Sequence, residues 1–147
     1  MNMTAPVHHR INEQLQQYWN ELRGSRAMPL ESEVNIAALK AIWDHCFLVN
    51  IHPDKFAYSY LGAQLIEAYG DDLTGREIAE TLLEPHPTSL FSKFQHVASS
   101  AQPAMDDSEF TNLRGALVKY RACILPLGSL GHTGVAFLLG GMKWKAF

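Results

Sequence analysis

The chain lacks the features that mark membrane and exported proteins. No apolar run reaches the ~18–20 residues that a membrane-spanning helix needs, and the opening MNMTAPVHHR has no apolar core of signal-peptide length. Cysteine is scarce: Cys46 and Cys123 are the only two, and both fall in predicted strands. Two such thiols are typical of buried cysteines in a reducing compartment rather than of a disulfide. We therefore expect a cytoplasmic protein.

Positive charge is also in short supply. The formal net charge is −3 and the isoelectric point is near 6.1, whereas nucleic-acid-binding domains are usually basic. The lysines and arginines are scattered, so no polybasic segment for an anionic membrane surface is present. The composition predicts neither a nucleic-acid partner nor a membrane partner.

The chain has no motif of a catalytic or metal site. The GxxxxGK pattern is absent, and the glycine-rich stretch 128–134 lacks the spacing of a nucleophile elbow. The seven histidines do not follow metal-ligand spacing. Asp71–Asp72 and Asp106–Asp107 are expected to be solvated turn residues, with no acid on an inward face. We therefore predict no enzyme, no catalytic residue and no metal.

Alternating and apolar segments predict five strands separated by helical sequence. The strands are expected over Cys46–Ile51, from Phe56 to the stop at Gly62, and over residues ~104–112, ~117–127 and ~134–145. Helices are expected over residues ~8–24, from an Asn35 cap, over Ala63–Tyr69, from the capping-box pattern Thr74–Glu77, and from Thr88 or Ser89.

This order predicts an α+β fold with a five-stranded antiparallel sheet. Helices are inserted after the second strand, and a helical extension precedes the sheet. The length of 147 residues fits a single globular unit. We divide it into an N-terminal helix and connector over residues 1–34 and the sheet-containing domain over residues 35–147.

Several motifs in the same order resemble the PAS domain superfamily. They are YWNELRGSRAMP from Tyr18, HCFLV from His45, FAYSYLGAQL from Phe56, GDDLTG from Gly70, YRACILPL from Tyr120 and LLGG from Leu138. The chain is most similar to a bacterial branch of single-domain PAS proteins found mainly in Alphaproteobacteria. The resemblance implies a sensory or regulatory role through ligand or partner binding, without catalysis.

A ligand pocket is expected between the sheet and the helices. Such a pocket needs an apolar lining with a few polar tips, which the tyrosine hydroxyls would supply. The alternative is a packed core whose hydroxyls bond within the protein. The candidate lining residues are Phe56, Tyr58, Tyr60, Leu90, Phe91, Phe94, Tyr120, Ala122, Ile124 and Leu138.

The N-terminal helix carries an apolar stripe that something must cover. Two alternatives are open: the stripe covers the protein's own sheet, or it packs against a second copy of the chain. We predict a homodimer, as PAS relatives often dimerise through this segment. The candidate interface residues are Ile11, Leu15, Tyr18, Trp19, Leu22 and Phe137.

Two functions therefore remain open at the level of sequence. One is a sensor module that binds a small, mostly apolar ligand and signals through protein contacts. The other is an interaction or dimerisation module with a filled core. An unidentified regulatory protein is the expected partner in both. The cofactor is left unknown and none is predicted. Some PAS domains bind haem through a helix histidine, but a haem held by His86 or His96 is not expected, and neither cysteine has the sequence context of flavin-binding relatives.

Overall fold

The computed structural model describes residues 11–53 and 55–147. It contains three α-helices, five strands and short 3₁₀ turns within this part of the chain. The helices are α1 (Ile11–Arg23), α2 (Ala63–Tyr69) and α3 (Ser89–Ser100). The strands are β1 (Cys46–Ile51), β2 (Phe56–Leu61), β3 (Ala104–Thr111), β4 (Leu117–Leu127) and β5 (Phe137–Ala146).

The strands form one antiparallel sheet in the order β2-β1-β5-β4-β3. The β1–β2 pair and the β4–β5 pair meet where β1 pairs with β5. This arrangement confirms the predicted α+β fold, with the helices inserted after the second strand. Residues 8–10 of the first predicted helix lie outside the described residues.

Each face of the sheet is covered by different elements. The inner face packs against α2, α3 and the segment that joins them, and the outer face packs against α1 and the 3₁₀ turns before β1. Side chains alternate between the two faces along each strand. The sheet is therefore buried on both sides over much of its area.

Gly140 shows how closely the inner face is packed. It lies opposite Phe47 in the β1–β5 pairing, and a Cβ at this position would overlap the Phe47 ring. The ring lies 5.5 Å from that of Phe94 and 5.7 Å from that of Tyr58, centroid to centroid. A glycine is needed here for the ring to reach the centre of the core.

Two predicted helices are only short 3₁₀ turns. Asn35 caps a turn over Ile36–Leu39 by accepting from the Ala37 amide at 3.0 Å, and no α-helix follows. The turns bury Leu39 and Ile42, whereas Ile36, which an α-helix would place on the same apolar side as Leu39, is 54% exposed. The sequence prediction was wrong about the length and type of this element.

The pattern Thr74–Glu77 also fails to start an α-helix. The Thr74 hydroxyl donates to Asp72 Oδ1 at 2.6 Å and so does not cap a helix. A 3₁₀ turn over Ile78–Glu80 follows instead. An α-helix here would place Leu82 on the same side as Ile78, four residues earlier, but Leu82 is 77% exposed.

Candidate functional site

The inner face of the sheet gathers nine of the ten predicted pocket residues. The strand residues point inward because they alternate with outward positions on β2, β4 and β5, and the others come from α3. Thr88 starts α3 by accepting from the Phe91 amide at 3.1 Å. The residues that share this core are Phe56, Tyr58, Leu90, Phe91, Phe94, Tyr120, Ala122, Ile124 and Leu138.

Tyr60 does not belong to this group, so its assignment to the pocket was wrong. Leu48 pairs with Tyr60 and Val49 pairs with Tyr58, which leaves Ser59 as the extra residue of a β-bulge. A bulge shifts the alternation of side chains by one position. Tyr60 therefore stacks on Trp43, with ring centroids 4.5 Å apart, and donates to the Trp43 carbonyl at 3.0 Å.

The space between the sheet and the helices is small. A cavity of about 10 Å³ lies there, which is roughly enough for one water molecule. Tyr58, Leu90 and Phe94 are the predicted residues that line it. Its other walls were missed by the sequence analysis and come from Tyr69, Leu73, Ile78, Thr81, Leu83, Thr88 and Phe110.

A pair of tyrosine hydroxyls lies beside this cavity. Tyr58 Oη and Tyr69 Oη are 2.6 Å apart and form a buried hydrogen bond. Burial raises the pKa of both phenols well above their usual value. The pair is therefore neutral and satisfies its own hydrogen-bonding groups, as expected for a packed core.

A buried carboxylate lies on the inner face of β3. Asp106 is 4% exposed, and it accepts hydrogen bonds from Tyr120 Oη and, at 2.8 Å, from Ser89 Oγ. Burial and the hydrogen bond to Asp106 raise the pKa of Tyr120. The expectation that Asp106 is a solvated turn residue, with no acid facing inward, was wrong.

The sequence prediction failed at Asp106 because its neighbour has the opposite environment. Asp107 is exposed on the other face of β3 and pairs with Arg121 at 3.0 Å. Two acids side by side are read as a polar turn, but on a strand they point to opposite faces. Phe110 lies four residues after Asp106 on the same strand, so the two side chains share a face, and both are buried. The apolar Phe110 was the available sequence signal for an inward Asp106.

On the outer face, the chain's own sheet covers most of the α1 stripe. Ile11, Leu15 and Trp19 are buried against β4 and β5, and Trp19 Nε1 donates to the Pro126 carbonyl at 2.8 Å. These three residues are thus not an open interface, which corrects the prediction for them and favours the intrachain alternative.

The other three predicted interface residues remain partly accessible. Tyr18, Leu22 and Phe137 are half-buried, and Tyr18 Oη accepts from the Asn35 amide at 2.7 Å. Their role in a dimer remains a prediction.

The two thiols lie on the outer face, away from the inner cavity. Cys46 and Cys123 both pair with Gly141, from opposite sides of β5, and they belong to the core beneath α1. Burial raises the pKa of Cys123 to about 12 and raises that of Cys46 further. Both are free thiols in an environment that keeps them protonated.

No group of three or more histidine, cysteine, aspartate or glutamate side chains within residues 11–53 and 55–147 could hold a metal ion. His86 and His96 are exposed. No helix within these ranges is both long and apolar enough to cross a membrane.

The comparisons with known proteins agree with this geometry. A family model described as PAS domain (PAS_5) matches residues 7–142. No curated protein matches the chain.

Solved structures of light-oxygen-voltage (LOV) domains and related photoreceptors share the fold. A LOV domain studied with a flavin analogue has 13% identity and a TM-score of 0.58, covering 75% of this chain and 83% of that one. The dark structure of the Aureochrome1 LOV domain has 9% identity and a TM-score of 0.54, covering 76% and 81%. A blue-light activated histidine kinase of Erythrobacter litoralis has 10% identity and a TM-score of 0.54, covering 69% and 33%. At these identities the similarity shows the fold alone.

Proposed function

This chain belongs to the PAS domain family, and we propose that it is a regulatory module with a filled core that acts by binding another protein. The observation that carries the proposal is the size of the inner cavity, about 10 Å³. Pockets for small molecules and cofactors usually measure ~300–1,000 Å³. Aromatic rings occupy the space where a ligand would lie.

The residues present do not fit a flavin, although several proteins of similar fold are blue-light photoreceptors. The inner cavity has no room for a fused three-ring system. Cys46 and Cys123 lie on the outer face beneath α1, so no thiol faces the space between the sheet and the helices. We therefore assign no step to a flavin, and the exposed positions of His86 and His96 offer no buried ligand for haem.

We propose no reaction for the buried carboxylate. Asp106 already accepts from two hydroxyl groups, and the inner cavity, about 10 Å³, is too small to admit a substrate. The hydrogen bonds join β3, β4 and the first turn of α3. Their role is structural in this proposal.

A ligand sensor is the second candidate, and one feature favours it. A surface groove of about 310 Å³ shares Leu73 and Thr81 with the inner cavity. The segment between α2 and α3 separates the groove from the cavity, and it contains no element longer than a three-residue turn. If it moved outward, the groove and the cavity would join into a site for a small apolar molecule.

Native mass spectrometry of freshly purified protein, with an absorbance scan of the same sample, separates the two candidates. The proposal expects the mass of the chain or its oligomer, with no bound small molecule and no visible absorbance. A stoichiometric adduct that is released on unfolding would overturn the filled-core module and establish the sensor.

Cross-linking in the native cells then tests for a protein partner. The proposal expects a discrete heteromeric complex that survives Tyr58→Phe, since this substitution removes one buried hydroxyl at the cavity wall and its hydrogen bond to Tyr69 and leaves the surface unchanged. Loss of the complex in this variant, with folding intact, would show that the cavity controls binding.

A further inference from the structure

The part of the outer sheet face that α1 leaves uncovered carries four cations, Lys119, Arg121, Lys143 and Lys145, which we call the cationic patch. All four are exposed. They lie on β4 and β5 at outward positions, in two rows across the sheet. The strand pairing places Lys119 directly opposite Lys145 and Arg121 directly opposite Lys143.

This pairing is unfavourable for the isolated fold. Like charges directly opposite each other destabilise an antiparallel pair, and here two successive outward pairs are both cationic. The chain as a whole has a net charge of −3, so basic residues are not in excess. A local rule broken without an evident gain in stability is typical of a functional surface.

The carboxylates of the described residues neutralise the patch only in part. Arg121 pairs with Asp107 at 3.0 Å, and Glu109 lies opposite Lys119 on β3. Within residues 11–53 and 55–147, neither Lys143 nor Lys145 has a carboxylate within 4.0 Å. Each row thus contains two cations and one acid.

The surface also has a shape that a chain segment can occupy. A groove of about 270 Å³ runs along the patch. A second groove of about 210 Å³, beside the first turns of α1, shares Arg121 and Lys143 with it. Met105, 43% exposed, lines the second groove, and the Phe147 ring lies 5.2 Å from Lys119 Nζ and 5.8 Å from Lys145 Nζ. Charged and apolar contacts are therefore both available.

We propose that the cationic patch binds an extended acidic segment of another protein, with carboxylates at alternate positions. Lys143 and Lys145 are two residues apart on one strand, a separation of roughly 6.6–6.8 Å. An extended segment repeats its side chains at the same spacing. This inference rests on the proposed function and specifies the chemistry of the partner.

The charges around the two grooves favour an acidic protein segment over other occupants. Asp107 lines one groove and Glu13 lines the other, so an occupant with a negative charge at every position, such as a line of phosphates, would meet repulsion. A segment with carboxylates at alternate positions can place its neutral side chains beside these two acids. The N-terminal residues 1–10 contain no aspartate or glutamate and lack the complementary charge. A second copy would have to present a different surface, because the patch cannot complement itself, and such head-to-tail contacts do not close into a dimer.

Fluorescence anisotropy with a labelled ten-residue peptide of alternating glutamate and threonine tests the inference. The probe should bind the wild-type protein, and binding should weaken as salt is raised. The double variant Lys143→Gln/Lys145→Gln should lose about tenfold in affinity. The matched variant Lys40→Gln/Lys55→Gln has the same net charge and removes exposed lysines elsewhere, so its affinity should remain close to wild type. A peptide with glutamine in place of glutamate should not bind.

Several results would overturn the inference. An equal loss of affinity in the two double variants would show that the peptide is attracted by net charge alone. If the glutamate peptide did not bind the wild type, the patch would not be a site for acidic segments. Tighter patch-dependent binding of a ten-nucleotide oligothymidylate or of phosphatidylserine vesicles would assign the patch to another class of partner. A patch-dependent change in sedimentation would assign it to a second copy.

The outcomes separate this inference from the proposed function. A bound small molecule in the native mass spectrum, together with patch-dependent peptide binding, would contradict only the filled-core module. A ligand-free protein with a discrete heteromeric complex, but without peptide binding, would contradict only the acidic-segment inference.

Discussion

At the residue scale, the two adjacent aspartates of β3 give the sharpest test of the inner core. Asp106 is buried and accepts from Tyr120 and Ser89, whereas Asp107 is exposed in a surface ion pair. Asp106→Asn places an amide donor group among hydroxyl donors, so we expect a loss of about 1–3 kcal/mol in the free energy of unfolding. Asp107→Asn should cost about 0–1 kcal/mol. Urea unfolding at neutral pH measures both.

The coupling between Asp106 and Tyr120 can be measured separately. A double-mutant cycle with Asp106→Asn and Tyr120→Phe should give a coupling free energy of about 0.5–3 kcal/mol. Equal stabilities of Asp106→Asn and Asp107→Asn, or a cycle without coupling, would contradict the buried network.

Tyr60 and Asp106 show where residue-level prediction from sequence fails. The simple alternation Phe56, Tyr58, Tyr60 predicts three inward rings, but the bulge at Ser59 reverses the last. The sequence prediction placed Asp106 in a solvated turn because it is charged, although its position in the alternating pattern of β3 is an inward one. Apolar inward positions such as Phe94, Ala122 and Leu138 were predictable since burial alone decides them.

At the scale of elements, α1 is the helix whose role the sequence left open. Leu15 is fully buried against the outer sheet face, and Leu22 is half-buried on the same helix. We expect Leu15→Ala to lower the free energy of unfolding by about 2–5 kcal/mol, because it leaves a cavity in a packed core. Leu22→Ala removes the same atoms from a more exposed site and should cost less. Thermal unfolding at several protein concentrations measures both.

Concentration dependence distinguishes intrachain packing from assembly. If α1 stabilises its own chain, the loss caused by Leu15→Ala is the same at every protein concentration. A loss that shrinks as the protein is concentrated would show instead that α1 covers a second copy. That result would restore Ile11, Leu15 and Trp19 to a dimer interface.

The strands were easier to predict than the connecting elements. Alternation and turn residues located all five strands, whose order in the sheet agrees with the PAS fold. The capping patterns at Asn35 and at Thr74–Glu77 predicted longer helices than the chain forms, because such a pattern concerns only the first turn of a helix. Whether the helix continues depends on tertiary contacts, such as those that bury Leu39 and Ile42 at a spacing of three residues.

At the scale of the whole molecule, both sheet faces bury groups that ionise at alkaline pH. Cys46 and Cys123 lie under α1, and burial raises their pKa, to about 12 for Cys123. Thiols in an unfolded chain have a pKa of about 8.5. Between these values the folded state keeps protons that the unfolded state releases, so the stabilising effect is complete below about pH 8.5 and is lost as pH rises through the folded pKa.

We therefore predict a steep alkaline loss of stability to which the thiols contribute. The slope is about 1.4 kcal/mol per pH unit for each group that is protonated only in the folded state. In urea unfolding from about pH 9 to about pH 11, Cys46→Ala/Cys123→Ala should therefore lose stability less steeply than the wild type. The packing lost with the two sulfur atoms lowers the stability of the double variant at every pH, so each protein is compared with its own stability at neutral pH.

Buried Tyr58, Tyr69 and Tyr120, whose pKa values are also raised, remain in both proteins and contribute equally to the alkaline loss of stability. Identical slopes for the two proteins would show that burial does not keep the thiols protonated in the folded state. Rapid chemical modification of the thiols in the folded wild type would lead to the same conclusion.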